Sequence, residues 1–489
     1  MQLILRQGGH SGFCETLAPL PVATMDLLLT HGYFLYDDPK ELQVMKPYAP
    51  LGILYLASHL RARNFDIEIF DTTFSSWPEL QRCLWSTRPA VLGVYANLMT
   101  RSNVVRTLRA AKEAGWKTVV GGPEPGAYVE EYLAAGADAV VIGEGEITLE
   151  ELLPILNGGS LEDLHRVHGI AFRGEDGCTQ RTPPRALIPE IDGQPWPNRE
   201  SIAIERYLEV WRQHHGRGSV SLITARGCPY ECRWCSHAVY GQTHRRRKPA
   251  SVVDEVEWIL ERYSPEMLWF ADDVFTIHHG WLAQFAVEMK RRNLRIPFEC
   301  ISRADRLNPQ AADLLAQLDC FRIWIGSESG SQRVLDAMGR GVTVEQVQTA
   351  VELCKSRGIQ TGMFLMWGYE GEELDDIEAT IQHVKRSGPD VFLTTVAYPI
   401  RGTPYFDEVG ERVVGTKKWA EGSDRDFQIR GRHSRQFYQN ADRLLRAEVE
   451  LQHLLSLDVP GGDGTIVELR QRIDQAREGI KATFSEVEA

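Results

Sequence analysis

Apolar runs of three to five residues punctuate the first third of the chain: Leu3–Leu5, Ile67–Phe70, Val91–Tyr95, Thr118–Val120 and Ala139–Ile142. Between them, Leu51–Asn64, Asn103–Ala114 and Ala127–Ala135 carry apolar positions at the three-to-four spacing of amphipathic helices. Short apolar runs without polar alternation are buried on both faces, and their exchange with helices predicts a doubly wound, Rossmann-like parallel sheet over residues 1–156. The periodicity then breaks. Pro183-Pro184, Pro189 and Pro195-Trp196-Pro197 mark 157–216 as a connecting segment. Strand-helix alternation resumes over 217–405, with apolar runs at Val220–Thr224, Met267–Ala271, Phe298–Ile301, Arg322–Gly326, Gly362–Trp367 and Val391–Ala397. Two amphipathic stretches, Gln436–Leu457 and Thr465–Phe484, make 406–489 a helical C-terminal region, suited either to capping the preceding domain or to closing over a substrate.

The picture is therefore α/β with more than one domain, as a length of 489 residues requires. A net charge of −13 argues against a life on nucleic acid or on an anionic membrane surface. The start, Met1-Gln2-Leu3-Ile4-Leu5, has no basic leader, and no apolar stretch reaches membrane-spanning length, so a cytoplasmic protein without membrane insertion is expected. The basic run Arg245-Arg246-Arg247-Lys248 reads as a solvated approach to a helix, with Ser251 and Asp254 spaced as a capping box. Six cysteines are scattered singly, which suits a reducing compartment.

The other three, Cys228, Cys232 and Cys235, fall within eight residues on the loop that leaves the Val220–Thr224 strand. Thiolates this close repel one another and would strain as disulfides, so a cation or a cluster is their natural partner. Zinc and ordinary iron-sulfur sites close with four ligands, whereas no fourth Cys or His stands at the usual spacing, and His237 and His244 fit no paired zinc pattern. A four-iron cube on three thiolates keeps one iron open to a chelating small molecule. The C-x3-C-x2-C spacing, with Trp234 before the last Cys, resembles the radical S-adenosylmethionine (radical SAM) superfamily. That resemblance implies a [4Fe-4S] cluster on the three cysteines, S-adenosylmethionine on the open iron, and its one-electron cleavage to a 5'-deoxyadenosyl radical. It also implies an electron donor such as flavodoxin or ferredoxin, and a partial (β/α)6 TIM-like barrel over 217–405 with its chemistry at the carboxyl ends of the strands.

Each strand end of such a barrel offers groups for S-adenosylmethionine. Asp272 and Asp273 could accept from its ammonium or ribose hydroxyls, and Ser302 and Arg303 follow the third strand, with Arg303 toward the carboxylate. Gly326-Ser327-Glu328-Ser329-Gly330, followed by Arg340, resembles the family's G-x-E-S-G and arginine, which puts Glu328 on ribose and Arg340 near the carboxylate; Trp234 is assigned to the same site. Trp367-Gly368-Tyr369-Glu370 departs from the commoner Gly-x-Pro-Gly form.

The N-terminal strand ends read Asp71-Thr72-Thr73, Ala96 to Thr100, Gly121-Gly122-Pro123-Glu124 and Gly143-Glu144-Gly145-Glu146. Glycines there let a bulky ligand approach the backbone. Gln7 to Gly12 does not supply the G-x-G-x-x-G of a dinucleotide site. Together with Pro50-Leu51-Gly52, these strand ends resemble the cobalamin-binding domain that precedes the radical SAM domain in one large subfamily. The cobalamin contacts so implied are Asp71, Thr73, Asn97, Met99, Thr100, Gly121, Gly122, Pro123, Glu124, Gly143, Glu144 and Gly145. No Asp-x-His-x-x-Gly is present; His10 and His31 read as packing or surface residues, and Asn97 to Thr100 would lie near a cobalt face without a protein nitrogen. Three readings follow: a cobalamin-dependent radical methyltransferase acting on an unactivated carbon of a small molecule, a cyclase resembling the anaerobic magnesium-protoporphyrin monomethyl ester cyclase, and a non-enzymatic electron carrier. The last needs neither an open iron nor S-adenosylmethionine elements, so methyl transfer is the expectation.

Overall fold

The computed structural model describes residues 25–456 and 463–488. The expected strand Leu3–Leu5 and His10 lie outside the described residues. The first described strand is β1 (Leu27–His31), a segment with no strand expected; β2 (Ile67–Phe70), β3 (Val91–Tyr95), β4 (Lys117–Gly121) and β5 (Ala139–Val141) follow the apolar runs. All five are parallel, in the order β2-β1-β3-β4-β5, which puts the reversal of strand order between β1 and β3, where doubly wound sheets open a crevice for ligands. Alternation decides which face each residue joins. Leu28, Leu92, Val94 and Val120 pack with Val104 and Leu108 of the helix Arg101–Glu113. Leu27, Leu29, Val91 and Val119 pack with Ile53 and Leu60 of the helix Leu51–Arg61.

The connecting segment corrects the sequence reading. β6 (Ile170–Arg173) and β7 (Thr179–Arg181) extend the same sheet as antiparallel strands, so it is not parallel throughout. Past the prolines, the helix Ile204–His215 buries Ile204, Tyr207, Leu208 and Trp211 on one stripe.

The second sheet is all parallel, β8 (Ser219–Leu222), β11 (Met267–Phe270), β12 (Phe298–Ser302), β13 (Cys320–Glu328), β14 (Gln360–Trp367) and β15 (Val391–Val396), paired side by side in chain order. The short antiparallel pair β9 (Ala225–Arg226) and β10 (Arg245–Arg246) interrupts it in the chain. The basic run is not a solvated approach. Arg245 reaches Glu144 at 2.8 Å, Arg246 reaches Asp272 at 3.2 Å, and Arg247 pairs with the fully buried Glu255. The following helix starts at Pro249 with Lys248 as its N-cap, one turn earlier than a Ser251 capping box would allow.

The C-terminal region is not helical throughout: after the short helix Pro404–Val409 it forms the hairpin β16 (Val413–Gly415) and β17 (Phe427–Ile429). Asp424 beside it joins Glu124 around the buried Arg101, which ties this region to the N-terminal domain. The helices Arg435–Ser456 and Asp463–Thr483 then cover β14, burying Phe437, Leu444 and Ile480 against Leu365, Trp367 and Ile381. Gly368 ends β14 at φ +70°, and a Cβ there would come within 2.7 Å of the Tyr438 ring.

Beneath this contact Glu372 is buried. It accepts from Gly368 N–H at 2.6 Å, while its second oxygen has no partner among the described residues. Burial pushes its carboxyl up to about 8. Because the folded state favours the protonated acid, its contribution is complete below about pH 4.5 and is lost as pH rises through about 8. Glu372→Gln should therefore flatten the pH dependence of stability across that window and be the more stable form at about pH 9, by a few kcal/mol at ~1.4 kcal/mol per pH unit. Chemical denaturation at about pH 5 and about pH 9 checks this; a wild-type curve that does not weaken relative to the variant refutes it.

Candidate active site

The cysteine loop leaves β8 through Thr224 and β9. Its base is fixed because Asp272 accepts from Thr224 N–H at 2.6 Å and from Ala225 N–H at 3.1 Å. Gly227 turns the chain at φ +84°, where a Cβ would lie 2.4 Å from Thr243 O. Arg226, just before it, crosses to the N-terminal domain and holds Glu144 at 2.8 Å and Glu146 at 2.6 Å, all three buried. The cysteine loop and the end of β5 are thus joined by a desolvated ion-pair cluster, which also receives Arg245 and Ile188 N–H on Glu144.

On the loop, Cys232 is buried, and two guanidinium groups point at its sulfur: Arg340 Nη1 at 3.4 Å and Arg303 Nη1 at 3.7 Å. Arg303 is held by Asp305 at 2.9 Å and stacked over Tyr230 at 3.7 Å, and it donates to Arg340 O at 2.8 Å. Arg340 in turn lies 3.6 Å from Glu328. Glu328 sits at φ +61° where the pairing of β13 with β14 slips, a left-handed conformation that is costly for a residue with a Cβ. Its burial raises its pKa, opposed by Arg340 and Arg303. Burial and the charges of Cys232, Asp273 and Cys228 push the Cys235 thiol up to about 12, and burial also raises Cys228. The Cys228 and Cys235 thiols so raised ionise readily only beside a positive centre. Among the described residues no three His, Cys, Asp or Glu side chains converge closely enough to hold a single metal ion. Three cysteine thiols on one loop are the donor set that an iron-sulfur cluster with one open iron would take.

A cavity of about 370 Å³ separates this loop from the N-terminal domain. Gly121, Gly122, Pro123, Gly143, Glu144 and Gly145 line it from the strand ends, and Gly52 from the start of its helix; Cys228, Asp273 and Ser236 to Gly241 line it from the barrel. Leu29, Ile53, Gly93, Val119, Val141 and Leu149 make one part of its wall apolar. Two polar groups are available to a ligand there. His237 Nε2 is buried without a partner among the described residues, and Asp273 is exposed to the cavity, its pKa raised by burial and by the neighbouring Asp272. A wall that is glycine-rich where the two domains meet, apolar elsewhere and equipped with unpaired polar groups fits a large ligand with an aromatic tail, such as cobalamin.

Other expected contacts are not brought to the cavity. Asp71 accepts from Tyr207 at 2.7 Å and pairs with His31 at 2.9 Å, and Thr73 accepts from the same Tyr207 hydroxyl at 2.8 Å. Asn97 accepts from Met99 N–H and Thr100 N–H, so it shapes the turn into the helix Arg101–Glu113; Met99 is exposed and Thr100 buried in that turn. Glu124 is consumed by Arg101 and Tyr132. Within the barrel, the oxygens of Asp272 are committed to the loop base and Arg246, and Ser302 is hydrogen-bonded to Thr276 at 2.5 Å. Trp234 packs against the buried cluster that includes Met338, Met366 and Tyr405. Arg226, Tyr55, Tyr240 and His237 line the cavity without having been expected to; only the fold brings them there.

Two family models match the chain: the radical SAM superfamily over residues 222–384 and a B12 binding domain over 43–153. An uncharacterized methyltransferase of Pyrococcus horikoshii is 28% identical, covering 78% of this chain and 83% of its own. The anaerobic magnesium-protoporphyrin IX monomethyl ester cyclase of Rubrivivax gelatinosus is 27% identical, covering 75% and 67%. Cytidylyl-2-hydroxyethylphosphonate methyltransferase of Streptomyces wedmorensis is 25% identical, covering 73% and 77%. The fold is shared with the cobalamin-dependent S-adenosylmethionine radical enzyme OxsB (TM-score 0.70, 17% identity, 92% of this chain and 71% of that one). It is also shared with the radical S-adenosylmethionine methyltransferase TsrM of Kitasatospora setae (TM-score 0.67, 20% identity, 82% of each chain).

Proposed function

Because the chain belongs to the radical SAM proteins that carry a B12 binding domain, we propose that it methylates an unactivated carbon of a small molecule. The observation that supports this reading is the cavity that Cys228 and the glycine-rich strand ends line together, since a cluster on the cysteine loop and cobalamin at those strand ends would then face one space. When bound, the cluster with S-adenosylmethionine supplies a hydrogen-abstracting radical and methylcobalamin a transferable methyl group. The residues of the chain position and exclude. Cys228, Cys232 and Cys235 would hold the cluster, with the Arg303 and Arg340 guanidinium groups directed at the Cys232 sulfur. Glu328 and Arg340 are assigned to the ribose and carboxylate of S-adenosylmethionine. Gly121, Gly122, Pro123, Gly143 and Gly145 would receive cobalamin, with the His237 imidazole and Asp273 as its polar contacts from the barrel. The Arg226–Glu144–Glu146 cluster keeps the two sites in register. An electron donor such as flavodoxin or ferredoxin completes the assignment.

Anaerobic reconstitution with iron, sulfide and cobalamin, followed by incubation with S-adenosylmethionine bearing a labelled methyl group and candidate substrates, tests this by mass spectrometry. A product carrying the labelled methyl supports methyl transfer. 5'-Deoxyadenosine formed together with an unlabelled product that has lost hydrogen supports instead the cyclase reading, which the relative in Rubrivivax gelatinosus motivates.

Glu328→Ala and Arg340→Ala should each retain iron yet bind S-adenosylmethionine more weakly by about 1–3 kcal/mol, the usual cost of losing a charge-assisted hydrogen bond. Equilibrium binding under anaerobic conditions measures it, and unchanged affinity in both variants removes these residues from the site.

A further inference from the structure

A second cleft, of about 540 Å³, opens beyond the carboxyl ends of β14 and β15, where Trp367, Val396 and Ala397 contribute to its wall. Lys40 of the N-terminal domain, Arg425 before β17, and Arg435 and Arg443 of the first C-terminal helix also line it. All four cations are exposed, and none is ion-paired with a carboxylate among the described residues. Arg425 touches Met99 Sδ at 3.0 Å, and Arg443 donates to Asn440 at 3.3 Å; neither contact neutralises a charge. The carboxylates of the cleft are occupied elsewhere, Asp426 by Lys417 at 2.9 Å, Asp442 by Arg446 at 2.8 Å and Glu488 by Arg432 at 2.9 Å. Four unneutralised cations are thus gathered round one concavity in a chain whose net charge is −13. Like charges held together repel, and an anion between them relieves that repulsion.

The cleft adjoins the cofactor-bearing parts of the fold. Ala397 belongs to the buried cluster against which Trp234 of the cysteine loop packs, and Arg425 abuts the turn after β3 through Met99. Its size suits a small molecule, whereas a protein partner needs a broad surface. We infer that the cleft anchors an anionic group, phosphate or carboxylate, of the substrate; as an account of substrate class this rests on the methyl-transfer reading.

Residue-resolved phenylglyoxal labelling of the reconstituted full-length protein, read by peptide mass spectrometry, tests the anion site without any turnover. Inorganic phosphate should slow labelling of Arg435 and Arg443 about threefold relative to chloride at matched ionic strength, at a concentration about twice its Kd. Arg88, exposed on the N-terminal domain, should be unaffected. Acetate run in parallel separates a carboxylate site, protected by both anions, from a phosphate site, protected by phosphate alone; either supports the inference. In the variant Lys40→Gln/Arg443→Gln the protection of Arg435 should disappear. Equal slowing at Arg88, no slowing at all, or protection by an acidic flavodoxin but by neither anion overturns it. Since labelling requires no S-adenosylmethionine cleavage, its failure leaves the methyl-transfer reading standing, and failure of methyl transfer leaves the anion site standing.

Discussion

Cys228→Ala, Cys232→Ala and Cys235→Ala each leave the protein without its four-iron cluster after anaerobic reconstitution, and S-adenosylmethionine cleavage falls to background. Three thiols are the smallest set that can hold a cube, so removing one leaves two ligands. The environment magnifies the loss. The Cys235 thiol, raised to about 12, is protonated at neutral pH unless a positive centre is present, so a damaged site cannot recruit iron through thiolates that are already charged. At Cys232 the substitution also removes the sulfur that the Arg303 and Arg340 guanidinium groups face in a buried setting. Iron and acid-labile sulfide analysis, the cluster's visible absorption and 5'-deoxyadenosine formation are the measurements. One equivalent of zinc and no labile sulfide in the wild-type protein would sink the assignment.

What could be read from the chain was local, and what could not was long-range. The cysteine spacing is a property of eight consecutive residues and needs no fold to be seen. The barrel strands announce themselves because most of their positions are apolar and turned into the core; all six lie within about two residues of the expected runs. β1 was missed because Thr30 and His31 break its apolar run, and both are satisfied by partners forty or so residues away, Phe70 O at 2.8 Å for Thr30 and Asp71 at 2.9 Å for His31. Pro195 and Pro197 hid the helix Ile204–His215 that follows them, although its buried residues keep helical spacing.

Site chemistry shows the same division. Asp272 and Asp273 are adjacent at one strand end and indistinguishable in sequence, yet one closes the base of the cysteine loop and the other faces the cavity. Only the neighbours that folding supplies, Thr224 N–H on one side and His237 on the other, separate a structural carboxylate from one open to a ligand. Arg226 carries no motif at all. Its role appears when Glu144 and Glu146, some eighty residues earlier, are placed against it.

Gly52→Phe abolishes cobalamin binding while the protein stays folded and keeps its cluster. Most glycines around the cavity cannot separate these effects. At Gly122, φ is +120° and a Cβ would fall 2.3 Å from Ala96 O, so any substitution there breaks the strand end before it tests the ligand. Gly52 differs on both counts. It lies in the first turn of the helix Leu51–Arg61 with ordinary helical backbone, and a Cβ meets nothing closer than the Tyr95 ring at 3.7 Å. Replacing a helical glycine by alanine stabilises by about 0.5–1 kcal/mol, so Gly52→Ala should melt slightly higher than wild type and still bind. A phenylalanine at the same position would extend from the wall into the cavity that Gly121 and Gly143 line, displacing the ligand and not the backbone. Equilibrium dialysis against hydroxocobalamin gives the affinity, circular dichroism the fold, and iron content the integrity of the second site. If Gly52→Phe binds cobalamin as the wild type does, the cavity between the domains is not where cobalamin sits; if iron is lost along with it, the two sites are coupled more tightly than the Arg226 cluster alone provides.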